Sequence, residues 1–356
     1  MAGTQSSDVT TPGSHPSLSV VIVTHDSAVD IERSIPALVA ELRPGDELIV
    51  CDNGSADGTL AAVRRLAPDA KVIESSNVGF AAGCNAGASL AAGELLCLLN
   101  PDAIVAPGFR DAIELPMLDR RGWAAWQALV SSEGGSVVNT GGGVVHYSGI
   151  SWAGGAGRPI AAAPREPAEV TYASGACLAI RRGAWDDLGG FSEPYFLYHE
   201  DTDLGLRLWL SGMRVGVEPG ARCDHDYDFD KGPRKWFYLE RNRWATIIRT
   251  YPTSLLLLLV PALAAAEVAI HLAAAAGGWL PQKLRADLAV VGAIRRLVAE
   301  RREIQRASRV DAAEFALLLT PELDSDFLGR VGSSALINRL SRGWWRLISV
   351  VLGRLR

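Results

Sequence analysis

The sequence offers few covalent or targeting devices. Its five cysteines (Cys51, Cys84, Cys97, Cys177 and Cys223) include no CxxC pair. That spacing gives neither a zinc site nor a disulfide framework, so reduced core residues of a cytosolic protein are expected. Residues 1–17 are rich in Ser, Thr, Gly and Pro, with no basic or apolar signal-peptide region; a disordered lead-in is expected there. The net charge of -5 carries no general basic footprint for nucleic acid. No repeat of solenoid period is present. The small-residue stretch Asn77 to Asn85 is neither a GxGxxG nor a Walker loop, since no Lys-Ser/Thr follows it. What is abundant is apolar: 48% hydrophobic residues against 21% charged indicate a globular chain. Its 356 residues allow two domains, or one domain with extensions.

Leu18 to Thr24 is a continuous apolar, β-branched run, the pattern of a buried parallel strand. Glu47–Cys51, Lys71–Glu74 and Glu94–Leu99 read as further strands. Helices are expected at Ile31–Leu42, Thr59–Ala67 and Phe80–Ala92 between them. This alternation predicts a mostly parallel, Rossmann-like α/β sheet with right-handed crossovers. Ligands bind such sheets outside the carboxyl ends of the strands, where Thr24, Asp52 and Asp102 all fall. From Trp123 to Val170 the text turns Gly-, Ser- and Val-rich, and hairpins and loops covering the sheet are expected. Tyr172–Ile180 reads as a strand and Arg182–Leu188 as a short helix.

The densest chemistry lies in His199-Glu200-Asp201-Thr202-Asp203, three carboxylates within four residues. Phe191, Tyr195, Phe196 and Tyr198 stand close by as candidate pocket walls. Mutual repulsion and burial make at least one of these carboxylates a better proton acceptor. Asp201 could equally cap a helix over Thr202–Ser211. A second acidic point, Asn100-Pro101-Asp102, ends the apolar run Leu95–Leu99. One acidic site for a metal and one for a proton suggest group transfer from a phosphate-bearing donor.

Taken in order, the chain resembles the family 2 inverting glycosyltransferases of GT-A fold, particularly their bacterial rhamnosyltransferase-like branch. The resemblance runs from Leu18 to about Thr250. It rests on Val23-Thr24, Cys51-Asp52-Asn53-Gly54-Ser55, Asn77 to Asn85 and Leu98-Leu99-Asn100-Pro101-Asp102. It continues through Ser174-Gly175-Ala176, Leu188 to Phe191, Phe196 to Asp203 and Arg241-Asn242-Arg243. The resemblance implies that Asp52 binds the nucleotide base, although Asp-Asn-Gly-Ser is also good turn chemistry. It implies that Thr24, Asn77, Gly79, Asn85 and Asp102 border the donor, a dTDP- or UDP-linked sugar. Asp102, last residue of a DxD whose first Asp is here Asn100, would help hold Mg2+ or Mn2+ on the diphosphate. His225 falls where some members place a histidine ligand; an exposed acidic loop is the alternative. Asp201 corresponds to the catalytic base, and Gly175, Phe191, Tyr198 and Glu200 would lie at the acceptor pocket. His25-Asp26 stands where the branch more often has Tyr-Asn, a departure at the donor ribose.

Four regions are expected: the lead-in 1–17, a GT-A domain 18–250, apolar then basic membrane-associated helices 251–310, and a linker with an amphipathic basic helix 311–356. Leu255–Ala276 is almost long enough to span a bilayer, but Pro261, Glu267 and His271 interrupt it and basic residues flank both sides. Helices lying in or dipping into the cytoplasmic face of the plasma membrane are therefore expected over a single span, with a buried helix as the alternative. Leu336–Arg356 mixes Trp344, Trp345 and aliphatic residues with five arginines and no acid, the composition of an interfacial helix. A membrane position makes a lipid-linked saccharide acceptor plausible, in cell-envelope polysaccharide assembly. Two competing functions were weighed. A nucleotidylyltransferase needs a glycine-rich basic loop where His25-Asp26-Ser27-Ala28 stands. A non-catalytic sugar-nucleotide-binding or scaffold subunit has no need of both Asp102 and Asp201.

Overall fold

The computed structural model describes residues 15–226, 232–324 and 335–354. The expected lead-in up to residue 14, Lys231, most of the segment before the last helix, and Arg356 lie outside them. The first half alternates as the apolar runs dictate: β1 (Leu18–Thr24), α1 (Ala28–Glu41), β2 (Glu47–Asp52), α2 (Thr59–Leu66), β3 (Lys71–Glu74), α3 (Phe80–Leu90) and β4 (Leu95–Leu99). Next come β5 (Ile104–Val105), α4 (Phe109–Ile113), α5 (Leu115–Leu118), β6 (Trp123–Ser132), β7 (Val137–Thr140), β8 (Gly143–His146), β9 (Ser151–Ala153) and β10 (Ala168–Glu169). After β11 (Cys177–Arg181) and α6 (Arg182–Leu188) follow α7 (Glu200–Leu210) and β12 (Arg214–Asp224). The rest is mostly helical: α8 (Arg234–Thr250), α9 (Thr253–Ala276), α10 (Leu280–Ala307), α11 (Ala312–Ala316), β13 (Leu319–Thr320) and α12 (Ala335–Arg354).

The main sheet runs β10-β12-β6-β11-β4-β1-β2-β3, with β5 on β12 and β7 on β6. The strands β4, β1, β2 and β3 are parallel as expected. Beyond β4 the sheet is mixed rather than mostly parallel: β11 is antiparallel to both β4 and β6, while β12 runs parallel to β6. Trp123–Ser132, expected as covering loop, is an interior strand buried along nearly its whole length. Its alanines and tryptophans lack the β-branched signature, and burial on both faces removes the alternation that marks a strand. The five cysteines are free and buried, as read from their spacing.

Two cores fill the faces of the sheet. Ile31, Ile35 and Leu38 of α1 pack on one face, with Phe109 and Trp126. Cys84 of α3, Trp185 of α6 and Leu204 and Leu208 of α7 pack on the other. A third core joins Leu206 and Leu210 of α7 to Ile247 and Tyr251 of α8, Leu255, Leu259 and Leu263 of α9, Phe315, and Ile348 and Leu352 of α12. The C-terminal helices are thus packed on the element that carries Asp201.

Among the described residues, α9 is long and apolar enough to cross a bilayer. One edge of it enters the third core, while Leu257, Val260, Val268 and Leu272 are exposed. Several charges counted as its flanks serve inside the protein. The fully buried Lys283 ammonium meets Glu240 at 3.1 Å and Glu267 and Asp287 at 2.7 Å each. Arg243 pairs with Glu240 and Glu267, and Arg301 donates to the Ile248 and Tyr251 carbonyls. Glu267, which argued against a membrane helix, is the anchor that ties α9 to α8 and α10. His271 and Asp287 share this cluster, but the Lys283 ammonium already lies against both of its carboxylates, Glu267 and Asp287. Lys283→Met removes the one ammonium shared by three carboxylates, leaving Arg243 alone with Glu240 and Glu267, and is expected to cost about 3–5 kcal/mol, read as a lower urea midpoint with an unchanged slope.

Candidate active site

The strand ends converge as the parallel half of the sheet requires. Asp52, buried at the end of β2, accepts from Thr24 Oγ1 at 2.9 Å, from the Ser55 amide at 3.0 Å and from Ser55 Oγ at 2.5 Å. The Asn77 side-chain oxygen accepts from the Gly79 amide at 3.1 Å. Gly79 has φ +91°, and a Cβ there would stand 2.5 Å from the Phe196 ring. Only glycine allows these two loops so close. The Asn85 side chain accepts from the Phe191 N–H and donates to the Phe191 carbonyl, both at 2.9 Å. Phe191, expected at the pocket wall, packs in the core against Trp185, ring centroids 5.1 Å apart.

Asp102 and His225 meet although 123 residues separate them. β5 follows the Asn100-Pro101-Asp102 turn and pairs with the end of β12, Val105 against Cys223 and Ile104 against Asp224. The turn is held by the Asn100 amide on the Ala176 carbonyl (3.0 Å) and Ser34 Oγ on the Pro101 carbonyl (2.5 Å). His225 Nε2 then lies 3.0 Å from Asp102 Oδ1 and 3.3 Å from Asn100 Nδ2. The Ser131 carbonyl and Asn139 hold its backbone. One carboxylate oxygen and one imidazole nitrogen in such proximity fit a divalent cation such as Mg2+ or Mn2+.

Asp201 sits in the first turn of α7; the N-cap position belongs to His199, which makes no side-chain cap. The Asp201 carboxylate accepts from the Gly175 amide at 3.1 Å and the Thr202 amide at 2.7 Å. Burial pushes its pKa above the ordinary carboxylate value, against those hydrogen bonds. Glu200 is driven up further, by burial and then by Asp201, and its Oε2 has no partner. The preceding loop is strained: Phe196, Tyr198 and His199 all have positive φ, at 65°, 68° and 66°. Strain of about 1–3 kcal/mol per such residue persists only where neighbours over-determine it. Here Asn242 donates from one amide nitrogen to the carbonyls of Tyr195, Leu197 and Tyr198 at 3.0, 2.8 and 2.7 Å. Arg241 donates to the Pro194 and Tyr195 carbonyls.

Asp203 plays a different part from Glu200. Fully buried, it binds Arg207 Nε and Arg249 Nη1, each at 2.7 Å, and accepts from the Tyr195 hydroxyl at 3.1 Å. Burial alone would raise its pKa; Arg249 and Arg207 outweigh burial and hold it below the usual range.

A single cavity of about 1460 Å3 gathers Asn100, Gly175, Tyr198, Glu200, Asp201 and His225. Two supporting roles went unseen in the sequence. Gln127 of β6 accepts from the Ser174 amide at 2.9 Å and so fixes the Gly175 loop; a lone glutamine in the apolar run Trp123–Val130 was the available signal. Asn242 offered only its place between two arginines.

Comparison with known proteins identifies the fold and the family. The mannosyltransferase PcManGT of Pyrobaculum calidifontis, solved with GDP-Man and Mn2+, superposes with a TM-score of 0.50 at 22% identity, over 83% of this chain and 87% of that one. GalNAc-T7, solved with UDP, GalNAc and Mn2+, gives 0.56 at 16% identity over 68% of this chain and 49% of that one, about half its length. The fold is therefore that of a GT-A glycosyltransferase. The models of glycosyl transferase family 2 and glycosyl transferase family group 2 match residues 19–188 and 120–292. An N-acetylglucosaminyl-diphospho-decaprenol L-rhamnosyltransferase of Mycobacterium tuberculosis is 31% identical over 237 residues, 58% of this chain and 75% of the relative. The chain belongs to the family 2 glycosyltransferases, in their rhamnosyltransferase-like branch.

The depressed native pKa of Asp203 stabilises the fold fully above the unfolded value of about 3.9. That stability is lost as pH falls through the lower native value. Asp203→Asn is therefore expected to lower the melting temperature near neutral pH and to remove part of its decline below pH about 4, read by calorimetry across pH.

Proposed function

We propose that this protein is an inverting glycosyltransferase that moves rhamnose from a dTDP-linked donor to a hydroxyl of a lipid-linked saccharide, in cell-envelope polysaccharide synthesis. The observation that carries this reading is Asp201, a carboxylate raised by burial, on the same cavity as His225, which pairs with Asp102. The name of the M. tuberculosis relative supports the sugar and the acceptor. In the proposed reaction Asp201 takes the proton from the acceptor hydroxyl. The oxygen bonds to the anomeric carbon as the bond to the nucleoside diphosphate breaks on the opposite face, and that electron pair leaves with the diphosphate. Opposite faces of attack and departure invert the configuration. Asp102 and His225 would hold a divalent ion, consistent with Mn2+ in both solved neighbours; bound there, it supplies charge neutralisation at the diphosphate.

Donor recognition is assigned to the strand ends. Three of the about four acceptor positions of the Asp52 carboxylate are filled by Thr24 and Ser55, leaving one for a pyrimidine imide N–H. Thr24 acts through Asp52, and Asn77 and Gly79 shape the adjoining loop. Gly175 orients Asp201, and Glu200 and Tyr198 border the acceptor. Asp201→Asn is expected to reduce nucleoside diphosphate release about 10²–10⁴-fold while donor binding persists. The parent rate is expected to fall with pH through the raised Asp201 pKa, because the protonated form accepts no proton. An Asp201→Asn enzyme as active as the parent would remove the base from this scheme.

We place the enzyme at the cytoplasmic face of the membrane. Supporting this, Leu257 and Leu272 of α9, Leu288 of α10 and Leu336, Leu340 and Leu347 of α12 are exposed, together with Arg339, Arg346 and Arg354. Apolar surface with interspersed cations suits anionic lipid. The full chain is expected to float with anionic vesicles. Leu257→Lys combined with Leu272→Lys is expected to weaken flotation at least about tenfold; undiminished flotation would assign the contact elsewhere.

A further inference from the structure

The cavity at Asp201 is larger than a sugar requires. Its 1460 Å3 exceeds the roughly 300–1,000 Å3 of ordinary small-molecule pockets. Its polar lining includes Glu240, Arg243 and Ser341 as well as Asp201. Beside Asp201, His199 and Glu200, only 7% and 5% exposed, leave Nδ1 and Oε2 without hydrogen-bond partners. Unsatisfied buried polar atoms at an enzyme cavity mark where a polar ligand completes the bonding. Another part of the wall is apolar and comes from the C-terminal helices. Ala265, Ala269 and Ala273 recur every four residues on α9 and leave a trough. Trp279, stacked on Trp236 with centroids 4.4 Å apart, and Trp344 of α12 complete that wall. On α9 the exposed Val268 and Leu272 lie three residues from Ala265 and Ala269, so the trough borders the exposed apolar face.

We propose that this trough holds the apolar chain of the acceptor, so that the lipid is bound inside the protein along α9 while its saccharide reaches Asp201. The inference rests on the lipid-linked acceptor proposed above. An apolar run on α9 in the same cavity as the Asp201 carboxylate matches an amphiphile, whose chain needs no hydrogen bonds. A peptide in the trough would leave its backbone groups unpaired against the alanines.

Two experiments on the full chain test the site. In the first, a twenty-carbon isoprenoid carrying a diazirine is irradiated with the protein and adducts are mapped by mass spectrometry. Adducts on Ala265, Ala269, Ala273 or Trp344, competed by the untagged chain, support the trough; adducts confined to the outward residues Leu257, Val268 and Leu272, or none, overturn it. The second compares ten- and twenty-carbon isoprenoid esters of N-acetylglucosaminyl diphosphate as acceptors. The parent is expected to favour the longer chain at least about tenfold in KM, since each buried methylene strengthens binding by about fourfold. Ala265→Trp and Ala269→Trp, at exposed helical positions, are expected to abolish that preference by raising the KM for the longer ester, while the KM for the nucleotide-sugar donor stays at the parent value. Equal KM for both chains in the parent, or a preference untouched in both variants, overturns the proposal. Trough adducts with no transfer to either ester would uphold the lipid site and refute the proposed acceptor.

Discussion

The ion cluster around Asp203 is the interaction on which the catalytic half of the molecule depends. A carboxylate with no exposed surface is bridged by Arg207 from its own helix and Arg249 from α8, and Arg249 reaches on to Glu300 of α10 at 2.9 Å. Arg207 also donates to the Leu188 and Gly190 carbonyls. One buried charge thereby fixes α7 relative to two other helices and to the loop before it. Desolvating such a pair is costly, and its removal leaves charges with nowhere to go. Orientation of α7 is the return, because Asp201 lies two residues before Asp203.

That orientation lets the chain keep a strained approach to α7. Three left-handed non-glycine residues in four positions would relax if the loop were free. Asn242 and Arg241 hold its carbonyls from α8, and the third core holds α8 against α7. The C-terminal helices extend the same arrangement. Leu255, Leu259 and Leu263 seal α9 into the core that includes Leu206 and Leu210, and Lys283 with Arg243 ties Glu267 to it. The α9 wall of the cavity and the Asp201 carboxylate are consequently parts of one packed unit.

Legibility followed local pattern. β1, β2, β3 and β4 announced themselves through apolar β-branched or leucine-rich runs, and α6 through its boundaries. β6 and β12 did not. The first is an alanine- and tryptophan-rich run, and the second carries a register irregularity between Glu218 and Arg222, so neither shows a clean period. The antiparallel insertion of β11 between β4 and β6 is a non-local pairing that no window of sequence contains. Among site residues, Asn85 was illegible for a related reason: an asparagine in a donor-like loop gives no sign that its amide bonds the backbone of Phe191.

The sequence by itself determined the parallel half of the sheet, the reduced cysteines, the family and the crowding of carboxylates at Glu200, Asp201 and Asp203, because these follow from residue type and short-range spacing. Only the tertiary structure decided which carboxylate does what. Arg249, 46 positions beyond Asp203, makes it a structural anion, while burial, outweighing the Gly175 amide, leaves Asp201 on the cavity wall raised. It also decided that Asp102 meets His225 and that Glu267 anchors α9. Each outcome depends on groups distant in the chain, and electrostatics and burial act through space rather than along the sequence.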